Sequence, residues 1–398
     1  MVRLFNNLIT IAVCFCIFFT MFTPMRVFVK GGQPFSYLIP IVLIFIFDKL
    51  FMRKEAIASI IVVLIIILLH YLGVGYFEHY VTDCLTLLFG VFAFEHYFVS
   101  RDNRYATWVL ITEFLTLFIL IVMSIPLFIE SPNLTRMIFK AAEDSNIEIE
   151  YYWCISYRTV HELPVLSIPV FVLFHNAKKK IVKVLSLICI VLMAVVMFYA
   201  SSTTSLILMM MVYVIMFSYN RRKTIKNNVL KMCLITLFAL PFMSEAIIVG
   251  MIDNVILPIV EGSSISNKMY DIKSYMLTGE SGGSTMEGRE NVINISINSI
   301  MSNPLFPEYD NNKIGQHSYL MDYLAAMGLI LFIPFCMCIY YRYKRPLRFI
   351  PHMKFYYIVA TFVFLLLASI KNFFIFIPAM FIVPLFLIQM EDEIINLI

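Results

Sequence analysis

Ile57-Ala58-Ser59-Ile60-Ile61-Val62-Val63-Leu64-Ile65-Ile66-Ile67-Leu68-Leu69 decides the fold class. A helix half-exposed to water would carry polar residues every three or four positions, and a barrel strand would alternate them. This stretch does neither. It is apolar on every face, and similar blocks recur along the chain between short polar stretches. A helix needs about 20 apolar residues to cross the hydrocarbon core, and only helices or closed barrels satisfy their backbone there. Composition agrees: 61% of the 398 residues are hydrophobic and 14% are charged, against roughly 45–50% and about 25% in soluble domains. The expectation is an all-α polytopic membrane helix bundle, a single integral membrane domain over residues 1–398.

Candidate spans cover 5–24, 35–50, 56–74, 82–99, 106–128, 163–177, 181–200, 204–219, 228–250, 318–340, 355–371 and 373–389, about twelve by the length criterion. The first is read as a retained helix rather than a signal peptide, because Thr23-Pro24-Met25 offers no small-residue cleavage site. Basic turns orient the set. Asp48–Lys54, Arg101–Arg104, Lys178-Lys179-Lys180, Asn220–Lys223 and Tyr341–Arg348 fall on alternate turns, which predicts that both termini face the cytoplasm. Arg26, Lys30 and Lys371 are outnumbered exceptions. A net charge of +4 is too small to argue for nucleic acid. The eight cysteines form no CxxC pair, zinc spacing or disulfide framework.

Two long connections fall on the predicted outer side. Residues 129–162 are acidic and aromatic, with Glu143, Asp144, Glu148, Glu150 and Trp153. Residues 251–317 contain Gly279, Gly282, Gly283 and Gly288, a cluster that suggests a hinge or lid in a chain with 13 glycines. From Glu290 to Met301 the residues Ile293, Ile297, Ile300 and Met301 share a helical face. Ile293, Ile295 and Ile297 would also fit a strand, and an amphipathic helix on the membrane or the bundle is the preferred reading.

Outer arginines and histidines are few: Arg26, Arg136, Arg158, Arg289, His79, His161 and His317. Three strings surround the most informative of them. Ser156-Tyr157-Arg158-Thr159-Val160-His161-Glu162-Leu163-Pro164 joins the first loop to the sixth span. Gly288-Arg289-Glu290-Asn291-Val292 leads through the amphipathic segment to Ser302-Asn303-Pro304-Leu305-Phe306. Gln316-His317-Ser318-Tyr319-Leu320 opens the tenth span, with Gly328, Leu329 and Ile330 inside it. Bland alternatives stand beside each: Arg289 as an interfacial snorkelling residue, Arg158 as the partner of Glu150 or Glu162, and His317 as a helix-start residue. Arg136 and His161 are rivals for phosphate ligand and base, and Tyr319 and Asp322 are candidates to line an acceptor site.

An arginine opening an amphipathic segment, an NPL turn, then H-x-x-L and a Gly–Leu pair in the next span is similar to the O-antigen polymerase and ligase superfamily. So are an outer-loop arginine a few residues ahead of a Glu and a Pro, the layout of large loops after the fifth and ninth spans, and the hydroxyl-rich turn Ser201-Ser202-Thr203-Thr204. The chain departs from the pattern where Phe306-Pro307-Glu308 replaces a glycine-rich turn after NPL, and where the hydroxyl turn lacks an arginine.

The resemblance implies a bacterial cytoplasmic-membrane glycosyltransferase that moves a glycan from an undecaprenyl-pyrophosphate carrier to a sugar hydroxyl. It implies a metal-independent, cofactor-free inverting displacement, with a chain-length regulator as a partner. Arg158 and Arg289 would hold the pyrophosphate, since an arginine fork matches phosphate geometry and stays charged. His317 would take the proton of the attacking hydroxyl. Repeat-unit polymerase is the leading expectation. An O-antigen ligase and a flippase or other transporter are the alternatives, the last disfavoured because ionisable residues look few at mid-span.

Overall fold

The computed structural model describes residues 2–21, 32–48, 53–72, 80–100, 103–131, 134, 154–200, 202–220, 224–239, 249, 252–260, 266, 269–270, 273–274, 287–315, 318–371 and 375–395. Arg26, Lys30, His79, Arg136, Tyr151–Trp153, the Gly279–Gly283 cluster and His317 lie outside these residues. The longer helices are α1 (Val2–Met21), α2 (Gly32–Asp48), α3 (Lys54–Tyr71), α4 (Tyr80–Ser100), α5 (Asn103–Glu130), α6 (Tyr157–Asn176) and α7 (Lys180–Tyr199). They continue with α8 (Thr203–Phe217), α9 (Ile225–Ala239), α10 (Glu287–Ser302), α11 (Tyr319–Lys344), α12 (Lys354–Ile370) and α13 (Val383–Ile395). No strand occurs among the described residues.

Helical stretches over Arg3–Met21, Arg104–Glu130, Lys180–Tyr199 and Tyr319–Arg348 are long and apolar enough to cross a membrane. Ser36–Asp48, Ala56–Leu69, Thr204–Phe217 and Lys354–Ile370 are shorter apolar helices. Their outward faces are as apolar as their inward ones: Ile11, Ile46, Leu64, Ile181 and Ile207 are largely exposed. Water would not tolerate so continuous an apolar exterior, whereas lipid chains cover it without penalty. The protein is an all-α membrane protein.

The centre is formed by α4, whose run Val91–Tyr97 is buried on every side, including Glu95 and His96. Around it pack α2, α3 and a π-helical turn at Pro378–Ile382 that leads into α13. α1 lies between α2 and α5, and α6 packs on α7, α8 and α12.

Hydrogen bonds show which helix ends lie together. Ser156 N donates to Met21 O at 3.3 Å, Ile155 N to Ser124 Oγ at 2.8 Å, and the Tyr323 hydroxyl to Asp83 at 3.1 Å. These gather the ends of α1 and α5 with the starts of α4, α6 and α11, at what we term the Arg158 end. At the opposite end Arg53 and Arg345 both grip Glu95, at 2.9 and 2.8 Å, and His96 pairs with Asp48. Phe5 stacks on Phe47 there, and His352 bonds Glu391 at 2.5 Å, so the start of α1 and the end of α13 share that end.

Some expected boundaries shift. Helix α5 continues through Glu130 and α6 begins at Tyr157, so the loop expected over 129–162 is shorter at both ends. The Ser156 side chain caps α6 by accepting from Thr159 N at 3.1 Å, and Pro164 and Pro169 sit inside the helix rather than opening it. The connection expected over 251–317 holds helical pieces at Ile252–Ile256, Leu257–Val260 and Asn311–Lys313 as well as α10. Helix is therefore the correct choice over strand for the amphipathic segment, but its buried face matches the expected one only in part: Ile293 and Ile300 are half-buried. Ser296 and Ser299 are buried while Ile297 is partly exposed and Met301 is 78% exposed. The serines face inward because carboxylates await them: Ser296 Oγ donates to Asp322 at 2.7 Å and Ser299 Oγ to Glu308 at 3.3 Å. Ile295 and Ile297 are left outward, as suits a helix lying at a membrane surface, while Ile300 packs against the core.

Candidate functional site

A network of buried polar side chains occupies the Arg158 end. Arg158 follows the capped first residue of α6, which points it back over the start of the helix. Its Nε donates to Glu162 Oε1, one turn on, at 3.3 Å, and both residues are 8% exposed. Tyr37 of α2, Asp83 of α4 and Tyr319 of α11 lie within electrostatic reach of its guanidinium. Asp83 in turn accepts from the hydroxyls of Tyr319 and Tyr323. Beside Arg158 a cavity of about 10 Å³, also lined by Thr20, Tyr37 and Glu113, has room for about one water molecule. It is too small for a sugar.

A second set of bonds continues from Tyr319 to α10. Asp322, one turn further along α11, accepts from Ser296 Oγ at 2.7 Å and from Ser318 N at 3.0 Å. Ser296 Oγ itself accepts from Gly315 N at 2.7 Å. The chain on either side of residues 316–317 is therefore fastened to the same serine–aspartate pair. Ser318 Oγ also donates to Ser369 O at 2.6 Å, and Tyr319 N to Lys371 O at 3.2 Å, which ties the start of α11 to the end of α12.

Arg158 is thus placed in full, and its partner is Glu162, the bland alternative weighed from sequence. Arg289 has its backbone in the first turn of α10, and its side chain lies outside the described residues. His317 lies outside them altogether. What the structure brings together is Arg158, the helix that carries Arg289, and the two flanks of His317. His161, the rival base, is fully buried one turn along α6 from Arg158, with Nδ1 bonded to Ser205 Oγ and the Tyr157 ring edge-on at 4.7 Å. Ser202 of the hydroxyl-rich turn donates to Ser205 at 3.2 Å, so that turn supports His161.

The NPL turn and the Gly–Leu pair meet in space. Helix α11 breaks at Gly328, with φ 60° and ψ 169°, and the turn fills the break. Leu329 N donates to Pro304 O at 2.9 Å, Ile330 N to Leu305 O at 3.3 Å, and Glu308 N to Ala325 O at 3.2 Å. A Cβ at 328 would stand 2.5 Å from Leu305 O, so only glycine permits the contact.

Sequence reasoning missed Asp83 and Glu113. Both are acids inside apolar blocks, a signal that marks functional residues in membrane helices. Glu113, eleventh of the 28 residues of α5, is 4% exposed. With Glu95, Glu162, Arg342 and Asp322 also buried, ionisable groups within the helices are more numerous than the sequence suggested. Asp83 and Glu113 escape notice because each stands apart from other acids in its own apolar block, and the buried groups converge only on folding.

No protein-family model matches the chain, and no curated protein matches it. The fold and this site define the class, a helical membrane protein whose buried charges concentrate toward the two ends of the bundle.

Proposed function

We propose that the protein is a repeat-unit polymerase of the bacterial cytoplasmic membrane. It would cross the membrane about twelve times, with both termini cytoplasmic and the Arg158 end outside. The observation that carries the reading is the polar network from Arg158 through Asp83, Tyr319 and Asp322 to Ser296. It joins the three segments that the resemblance assigns to catalysis. The substrate is an undecaprenyl-pyrophosphate-linked oligosaccharide, and the growing glycan passes to a hydroxyl of the next repeat.

Chemically, the leaving group is a pyrophosphate, and two arginines from different segments stabilise the charge that develops as the glycosidic bond breaks. Glu162 and Asp83 oppose an anion near Arg158 but also hold its guanidinium in place. Arg289 then supplies the second fork, and His317 accepts the hydroxyl proton. The account needs no metal. The test is turnover by the purified protein in nanodiscs, supplied with lipid-linked repeats and followed by polymer formed and carrier released. Activity that survives EDTA and falls at least tenfold in Arg289→Lys, where a point charge replaces the fork, is the expected result. Metal dependence or wild-type turnover in that variant would refute the mechanism.

O-antigen ligase uses the same chemistry and differs in the acceptor. A transporter is favoured by two observations: Glu113 buried within α5, and the break of α11 at Gly328, since broken helices and buried charges mark transport pathways. The break is filled by the NPL turn, however, and not left open to a pathway.

A further inference from the structure

A second cavity lies away from this site, at the opposite end of the bundle. It encloses about 540 Å³ between α5, α6, α7 and α13, a volume typical of small-molecule pockets. Its walls are Ile111 and Phe114 of α5, Leu173 of α6 and Phe386 of α13. They run from the helix ends toward the middle of the bundle, since Phe114 lies seven residues beyond Thr107 at the rim, or about 10 Å along the axis. The rim is closed by the turn that carries Lys178 and Lys179. Both lysines are exposed, and neither has an acidic partner among the described residues.

An apolar slot opening toward the lipid, with two ammonium groups at its polar end that have no acidic partner among the described residues, matches one kind of molecule. Acyl chains satisfy the slot, and a phosphodiester headgroup satisfies the lysines, as basic pockets between membrane helices do for anionic lipids. A soluble anion would gain nothing from the apolar walls, and a zwitterionic lipid brings a second positive charge to the lysines. We propose that this cavity is a binding site for an anionic phospholipid, with the phosphate at Lys178 and Lys179 and an acyl chain along Ile111 and Phe114. The proposal is independent of the polymerase reading, because it uses neither Arg158 nor the segments around it.

The test is native mass spectrometry of the full-length protein in detergent, titrated with phosphatidylglycerol or phosphatidylcholine of identical acyl chains. Wild type retains phosphatidylglycerol preferentially. Each lysine replaced by alanine costs about fivefold in that affinity, and the double variant K178A/K179A binds the two lipids alike. Ile111 is 47% exposed, so Ile111→Trp fills the slot from its lipid side without disturbing the core, and it reduces retention of both lipids. Equal retention of the two lipids by wild type would overturn the proposal. So would a preference unchanged in K178A/K179A, or displacement of phosphatidylglycerol by inorganic phosphate alone, which would mark a simple anion site.

Discussion

Single residues account for the tightest points of the structure. Gly328 combines a left-handed φ with van der Waals contact against the backbone of Leu305 and Phe306. Gly328→Ala adds both backbone strain and a clash with atoms that cannot rotate away. The expected cost is about 1–3 kcal/mol, read as a lower melting temperature of the detergent-purified protein. An unchanged melting curve would show that α11 straightens without penalty. Arg158 illustrates the opposite situation, in which one residue serves two plausible ends. Its pairing with Glu162 follows from their i, i+4 spacing alone, whereas its proximity to Asp83 and Tyr319 required three helices to assemble.

At the level of elements, α10 and α11 act as one unit fastened by Asp322. That carboxylate accepts from Ser296 Oγ through one oxygen and from Ser318 N through the other, so an amide would turn an NH2 group toward one of the two donors and lose the charge that strengthens both bonds. Asp322→Asn should therefore loosen α10, costing about 1.5–3 kcal/mol for a buried bond to a charged group. The expected signature is faster amide exchange along α10 with exchange in α4 unchanged; unchanged exchange in α10 would deny that the pair fastens it. The helix itself was legible in the sequence through its isoleucine spacing, but its orientation was so only in part. Periodicity ranks faces by apolarity, and Ser296 and Ser299 turn inward for partners at Asp322 and Glu308 that lie outside the window. For a similar reason α6 begins earlier than its apolar block: the Ser156 cap, rather than hydrophobicity, sets the start. The pairing of the NPL turn with Gly328 is invisible to any local reading, because it joins two chain segments through backbone groups whose side chains carry no pattern.

For the whole molecule, apolar blocks and basic turns specify the bundle, because lipid admits few other solutions. The charges inside it do not announce themselves, and only the folded chain shows that they collect at its two ends. The proposed orientation places Asn312 outside and Lys178 inside. In cells lacking the exposed Cys233, an impermeant maleimide should label Asn312→Cys in intact cells and Lys178→Cys only after lysis; the reverse order would invert the topology. The central claim is that this end of the bundle polymerises a lipid-linked glycan. Its most direct test is a gel of surface glycan from a deletion strain complemented with wild type, Arg289→Ala or His317→Ala at matched membrane expression. The account predicts a full ladder for wild type, and a single repeat on the acceptor lipid for the deletion and both variants. A ladder that persists in the deletion strain would contradict it, and long chains stranded on the polyprenyl carrier would make the protein a ligase instead.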